Sequence, residues 1–258
     1  MPTYQKVIWV ALVVTVIAIL ILGYFLFLAP QARGKSPAKT VLTPHEIPRA
    51  NESPLTKPAE DKDWSPLKLE LNQSDPAVRE LIAAAQVPGQ LREWSQQKEL
   101  LRSLVAAVDN VAQGQSPASQ LAVLAPAEKF AVIEKNGTTC LDPRSFRRYD
   151  ALVNVFMAIP DETLLFWYRK LSPTLEVAFR ELGYPGITFL QRLKQAGEQL
   201  DQVPLLKGDA LLEKKIVSYA FLDSNLEDLN PAQKHLLRLG PQNVARIQKK
   251  LRNFIAAL

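Results

Sequence analysis

The chain has 258 residues, 31 Lys plus Arg against 26 Asp plus Glu, a net charge of +5 and 47% hydrophobic residues. A surplus that small, spread over both signs, does not require a polyanion as partner. The single cysteine, Cys140, excludes an intramolecular disulfide and a thiolate zinc site, and the two histidines, His45 and His235, do not supply the missing ligands.

Val7–Leu28 reads VIWVALVVTVIAILILGYFLFL and carries no charge. As a helix at about 1.5 Å rise per residue it is roughly 33 Å long, enough for a hydrocarbon core of about 30 Å. The run exceeds a signal-peptide h-region of roughly 7–15 residues. Ala29-Pro30-Gln31-Ala32 lacks the A-x-A spacing, and no cysteine follows to receive a lipid. We therefore read 1–6 as a short N-terminal tail and 7–28 as an uncleaved transmembrane helix, with Trp9 and Tyr24 as interfacial aromatics. Lys6 and the terminal amine flank one side, and Arg33, Lys35 and Lys39 the other. Charge alone leaves the orientation open, because long C-terminal domains translocate largely regardless of it. A reducing compartment and a periplasmic protein without bridges both fit the cysteine count.

Residues 29–66 hold seven prolines and few large apolar side chains. Such a segment cannot bury enough surface to offset its ordering entropy, so it reads as a disordered linker. Its ends average about 35 Å apart as a coil. Residues 67–258 form the soluble domain, with ample length for a core.

Ser74-Asp75-Pro76 is an N-cap cluster with a first-turn proline, and predicts a helix to about Gln86 ended by Val87-Pro88-Gly89. Helical periodicity resumes over 90–113 with a break near Ser95, and Leu101, Leu104, Val105, Val108 and Ala112 share one face. Asp109 borders that face near the helix C-terminus, where a carboxylate is awkward unless an arginine or solvent meets it. Residues 129–141 change period, and Asn136-Gly137 predicts a hairpin with a type I′ turn. Cys140 inside it reads as a small buried hydrophobe. Asp142-Pro143 caps a helix to about Ile159. Pro160-Asp161 starts another reaching Leu182, with a buried face at Leu164, Tyr168, Leu171, Leu175, Phe179 and Leu182 and a bend at Pro173. Residues 187–202 are amphipathic. Within 203–229 the stretch 216–222 fits a strand or a buried helical turn. Asn230-Pro231 caps a short helix, Gly240-Pro241 breaks it, and Val244, Ile247, Leu251, Phe254 and Leu258 stripe the last one.

Two groupings could carry chemistry. Arg148, Asp150, Arg169, Glu176 and Arg180, with Arg147 and Glu181 beside them, are the densest polar set, on two neighbouring helices. They read as a pocket for an anion or peptide carboxylate, or as ion pairs fastening two helices. The last 29 residues hold six Lys/Arg and no acid, so Arg246, Lys249, Lys250 and Arg252 define a basic surface. That surface fits a solvated face, an anionic membrane or polymer, or nucleic acid. Leu239-Gly240-Pro241 loosely resembles a helix–hairpin–helix motif, but Arg238 stands where its first glycine belongs. No Gly-rich phosphate loop, G-x-S-x-G or H-E-x-x-H occurs, so no catalytic residue, metal ligand or cofactor site is named.

Four stretches are together similar to a bacterial family catalogued as domain of unknown function 3014. They are Val108-Asp109-Asn110 through Gly114, LDPRSFRRYD (141–150), YRKLSPTLEVAFRELGYP (168–185) and LNPAQKHLLRLGPQNVARIQKKLR (229–252). The resemblance implies a single-pass inner-membrane protein with a cytoplasmic N-terminus, a proline-rich linker and a periplasmic domain, and no known activity. The expectation is thus a mainly α, multi-helix globular domain of about seven or eight helices with one small β-hairpin. Its expected role is a non-enzymatic interaction or scaffold module of the cell envelope, with an envelope protein as partner and no nucleic acid. The alternatives are a ligand-binding domain or enzyme built on the polar set, or nucleic-acid binding through the basic helix. The oligomeric state stays open.

Overall fold

The computed structural model describes residues 63–216 and 218–258. The expected tail 1–6, membrane span 7–28 and most of the linker lie outside the described residues. Among the described residues no helix is long and apolar enough to cross a membrane.

In chain order the helices are α1 Ser74–Ala84, α2 Gly89–Trp94, α3 Leu100–Ala112, α4 Arg144–Arg147, α5 Asp150–Ala158, α6 Asp161–Arg180, α7 Phe189–Asp201, α8 Ser224–Glu227, α9 Pro231–Leu237 and α10 Pro241–Ala256. The strands are β1 Val132–Lys135, β2 Thr138–Leu141, β3 Leu212–Lys214 and β4 Tyr219–Phe221. The architecture is mainly helical, as expected. The helix count exceeds expectation because the 142–159 helix divides at Arg148-Tyr149 and a one-turn helix follows Asp223, whose carboxylate accepts from Asn225 N–H at 2.9 Å.

Several caps differ from the sequence reading in an instructive way. Asp75 does not cap α1. Its carboxylate accepts from the backbone N–H groups of Glu99 and Leu100, at 2.8 and 2.9 Å, and so caps α3 instead. The expected break near Ser95 is the 95–99 turn, which closes on Glu99 at φ 56. Thr188 and Asn230 form capping boxes with Gln191 and Gln233. Pro173 leaves the Arg169 carbonyl without its helical donor, and Ser172 Oγ donates to it at 3.1 Å.

The hairpin expected at 136–137 forms with register Val132↔Leu141 through Lys135↔Thr138. Positive φ at Asn136 (51) and Gly137 (76) fits the type I′ turn. The segment left undecided contributes a second hairpin, β3 with β4. The two meet through a bridge between Cys140 and Leu211, reinforced by Leu141 N–H donating to Ala210 O at 2.9 Å.

The largest core unites α1, α3, α6 and the start of α7 around Leu101, Val105, Leu175, Phe179 and Phe189. A second gathers Val153, Val203, Leu237 and Val244, and a third places Leu141, Ala210 and Leu212 under the hairpins. Burial of each large side chain contributes about 1.5–3 kcal/mol. Two expected core positions are not buried: Leu104 and Leu182 are exposed. The linker boundary also moves. Asp63 forms an ion pair with buried Lys170 at 2.9 Å, Trp64 packs edge-on to Phe166, and Leu67 N–H donates to Lys170 O, so residues 63–66 belong to the domain.

Gly240 joins α9 to α10 at φ 86, ψ 158, a region open essentially to glycine, and a Cβ there would lie 2.7 Å from Phe146 Cγ. Gly240→Ala is expected to lower the stability of residues 63–258 by about 2 kcal/mol or more in urea titration. Gly89→Ala, which meets open space, is expected to change it by less than about 1 kcal/mol. Equal effects of the two substitutions would contradict this account.

Candidate functional site

The five residues read as a polar set do not converge. Arg148 donates to the carbonyls of Ser145 (2.9 Å) and Glu128 (3.0 Å), with its guanidinium over the Phe130 and Tyr149 rings. Asp150 accepts from Asn243 Nδ2 at 2.7 Å. Arg169 stacks on Trp64, 4.8 Å from the ring centroid. Glu176 accepts from the Phe189 N–H through both oxygens at 3.0 Å, and so holds the start of α7 against α6. Arg180 is exposed, and among the described residues no ion pair joins any two of the five. The expected Glu176–Arg180 pair does not form because the carboxylate is taken by a helix N-terminus.

The basic surface loses one member. Lys250 is buried, with Nζ donating to Ile159 O at 2.6 Å and to Asp161 Oδ1 at 2.7 Å. Arg246 binds Asn154 at 3.0 Å, Arg252 pairs with Asp201, and Lys249 is exposed. The acids and amides of neighbouring helices therefore neutralise much of what reads as a cationic face.

The buried charge that does stand out is Asp109. Arg192 Nε lies 3.0 Å from its Oδ1, while Oδ2 accepts from Gln113 Nε2 (2.7 Å) and Tyr184 Oη (3.1 Å). The Arg192 guanidinium also covers the Tyr184 ring at 4.6 Å. Asp109 is thus paired, not solvated. Its partner sits in an amphipathic helix where sequence spacing gives no reason to single out one arginine.

A different feature has the dimensions of a site. Two apolar cavities, of about 640 and about 440 Å³, adjoin across the α3 face. Leu104, Val108, Leu121, Leu124, Leu193 and Phe254 line both, so the two are confluent. Helices α3, α7 and α10 form the walls. The 115–126 segment crosses them as a strap, tied down by Asn110 Nδ2 donating to Gln120 Oε1 at 2.8 Å and by Ser116 Oγ against His235 Nδ1 at 3.4 Å. Such a volume lies within the range of small-molecule sites. Sequence reasoning missed it because an amphipathic stripe looks the same whether it closes on a neighbour or on a void.

Burial, with Arg238 adding like-charge repulsion, holds the His235 pKa below its ordinary 6.5. The imidazole on the cavity wall is therefore neutral at neutral pH. Burial, with the Glu176 carboxylate adding to it, pushes the Tyr168 hydroxyl up, while ion pairs act on the carboxylates: Arg102 lowers Glu181, Lys234 lowers Glu227 with help from the Phe221 N–H, and Arg144 lowers Asp142.

Residues 100–255 match the family described as Protein of unknown function (DUF3014). No curated protein and no solved structure matches the chain.

Two measurements probe this region. Asp109→Ala strands Arg192 as a buried cation and is expected to cost about 3–5 kcal/mol in urea unfolding of residues 63–258, with part recovered on adding Arg192→Leu. A double variant no more stable than the single one would show that the pair is not coupled. The lowered His235 pKa means the fold prefers the neutral ring. Its contribution is complete above pH 6.5 and is lost as pH falls through the folded-state value. Stability is expected to decline as pH falls below 6.5, and His235→Gln should flatten that slope.

Proposed function

This chain belongs to the DUF3014 family, and on that premise we propose that it is a membrane-tethered, non-enzymatic interaction module of the bacterial cell envelope. In this reading residues 7–28 anchor it to the inner membrane, the proline-rich linker carries the domain into the periplasm, and the partner is an envelope protein.

One observation supports the reading most directly. Among the described residues, ten large apolar side chains are exposed, and six of them (Phe130, Leu205, Leu211, Ile216, Tyr219 and Leu222) belong to the two hairpins or the loops entering them. Leu211 and Leu222 oppose each other where Leu222 N–H donates to Leu211 O at 3.0 Å, on the face turned away from buried Leu212. Phe130 and Tyr219 meet with ring centroids 5.8 Å apart on the other side of β4, the one Tyr219 shares with Phe221. The same hairpins carry charged pairs, Lys135 with Asp209 and Lys215 with Glu213, both at 2.6 Å. Exposed leucines in cross-strand register, with aromatic and charged side chains on the same hairpins, are features of a protein-binding surface. The short strand β1 also leaves a backbone edge that a partner strand can extend, whereas the outward Phe221 N–H of β4 is held by Glu227 at 2.8 Å.

The members of the polar set serve separate structural contacts, and Lys250 of the basic helix is buried. Both facts weigh against the alternatives based on those residues.

With a photo-crosslinking residue at position 220, which shares the face of Leu211 and Leu222, one or two envelope proteins are expected to be captured from native membranes. Leu211→Asp combined with Leu222→Asp should reduce capture at least tenfold while leaving thermal unfolding within about 1 kcal/mol of the parent, as for surface positions. Capture of this chain alone, across several crosslinker chemistries, would count decisively against a protein partner. A phosphatase fusion at the C-terminus that is inactive in cells would refute the periplasmic placement.

A further inference from the structure

The confluent cavities share no residue with the hairpin patch and suit a different occupant. We propose that they bind one long acyl chain carrying an anionic head group, the tail running under the 115–126 strap and the head at Lys98. Three observations carry this.

The walls are mainly aliphatic and aromatic, with Ile82 and Trp167 in one chamber and Leu200 and Leu239 in the other; Ser95, Gln97, Ser103, Ser119 and Gln120 line the chamber that holds Lys98. A chain of methylene groups gains from the apolar surface and brings no polar group that needs a partner. A peptide backbone brings an amide with every residue, more than these few polar groups can satisfy.

The space is elongated because two chambers join side by side across Leu104 and Val108. One of the residues at that junction, Leu104, is 46% exposed although it lies on the same helical stripe as Leu101, which is 2% exposed. Among the described residues the stripe has no protein partner there, and a tail inserted at the junction would complete it.

The charge is localised. Among the described residues Lys98 is the only charged side chain lining either chamber, His235 being neutral. It is exposed in the turn between α2 and α3, next to Gln97, and among the described residues it forms no ion pair. Its neighbour Glu99 is engaged by Arg102 at 3.5 Å. A cation at one end of an apolar channel suits an amphiphile with a carboxylate or phosphate head. It does not suit a neutral hydrocarbon or a cationic detergent.

The test uses the full chain held in amphipol, with a dansyl-labelled undecanoic acid as reporter. Its emission is expected to rise on binding and to be displaced by hexadecanoate at micromolar concentration. Hexadecyltrimethylammonium should displace it at least tenfold less well. Leu104→Trp and Val108→Trp, which fill the junction, should each weaken hexadecanoate binding at least tenfold. The exposed change Lys98→Glu should weaken hexadecanoate about fivefold or more and leave hexadecanol unaffected. Leu222→Asp, on the hairpin patch, should change nothing. A parallel arm with phosphatidylglycerol vesicles separates the two sources: extraction of the lipid by the protein assigns a phosphate head, and hexadecanoate binding without extraction assigns a free carboxylate. No reporter binding, binding that both tryptophan variants and Lys98→Glu leave intact, or displacement only by an apolar helical peptide would each overturn the proposal. None of these results touches partner capture at position 220.

Discussion

The fold hangs on a polar device inside its last helix. Asn243, Gln248 and Lys250 are all buried in α10, and each ends on a backbone carbonyl that no helix satisfies. Gln248 Nε2 donates to the carbonyls of Leu200, Asp201 and Val203 at 2.9–3.2 Å, which closes the C-terminus of α7. Asn243 Nδ2 serves Leu239 O at 3.1 Å as well as the Asp150 carboxylate. Lys250 serves Ile159 O in the turn between α5 and α6. A helix end buried without such donors strands several carbonyls, each at a desolvation cost of about 1–3 kcal/mol. Apart from the local Asn243–Leu239 bond, these contacts join parts of the chain some 45 to 93 residues apart, and fix α5, α6 and α7 against α10 by direction as well as by greasiness.

That division of labour explains how the domain holds open an apolar space. A core kept together by hydrophobic contact alone collapses on any void, since contact energy rises with every ångström of closure. Here the helix ends are pinned by directional bonds. Asp109–Arg192 ties α3 to α7, Glu176 ties α6 to the α7 N-terminus, and α10 ties the remainder. Helices α7 and α10 do come close where Gly197 leaves room, since a Cβ there would sit 2.1 Å from Ile255 Cδ1. Beyond that point their side chains diverge, and the 115–126 strap spans the gap with one amide–amide bond and one hydroxyl–imidazole contact.

Local features of the fold were legible wherever chemistry and spacing coincided. Asn230-Pro231 with Gln233, Asn136-Gly137, and Gly240-Pro241 each dictate one backbone geometry, and the chain adopts it. Long-range roles were not legible, because a side chain's partner can sit far away in sequence. Asp75 looks like a local cap and serves a helix 25 residues on. Glu176 looks like half of an i,i+4 pair and serves Phe189. Lys250 was readable in principle: it falls three residues after Ile247 and four before Phe254, on the flank of the buried stripe, where a lysine must find a partner inside.

The apolar positions pose a harder problem of the same kind. Leu101, Leu104, Val105 and Val108 obey one periodicity, and nothing in the letters distinguishes the one that faces Phe179 from the one that faces a void. Burial is a property of the opposite wall, and the opposite wall here is built from residues around 193, 251 and 254, whose own stripe is just as regular. The hairpin patch follows the same logic in reverse. Strand alternation sends Leu212 and Phe221 inward, and so must send Leu211 and Leu222 outward, where a polar residue would ordinarily stand. Two leucines in cross-strand register on an exposed face gain nothing from this chain alone beyond each other. The free energy they would release on leaving water is available only to something that covers them.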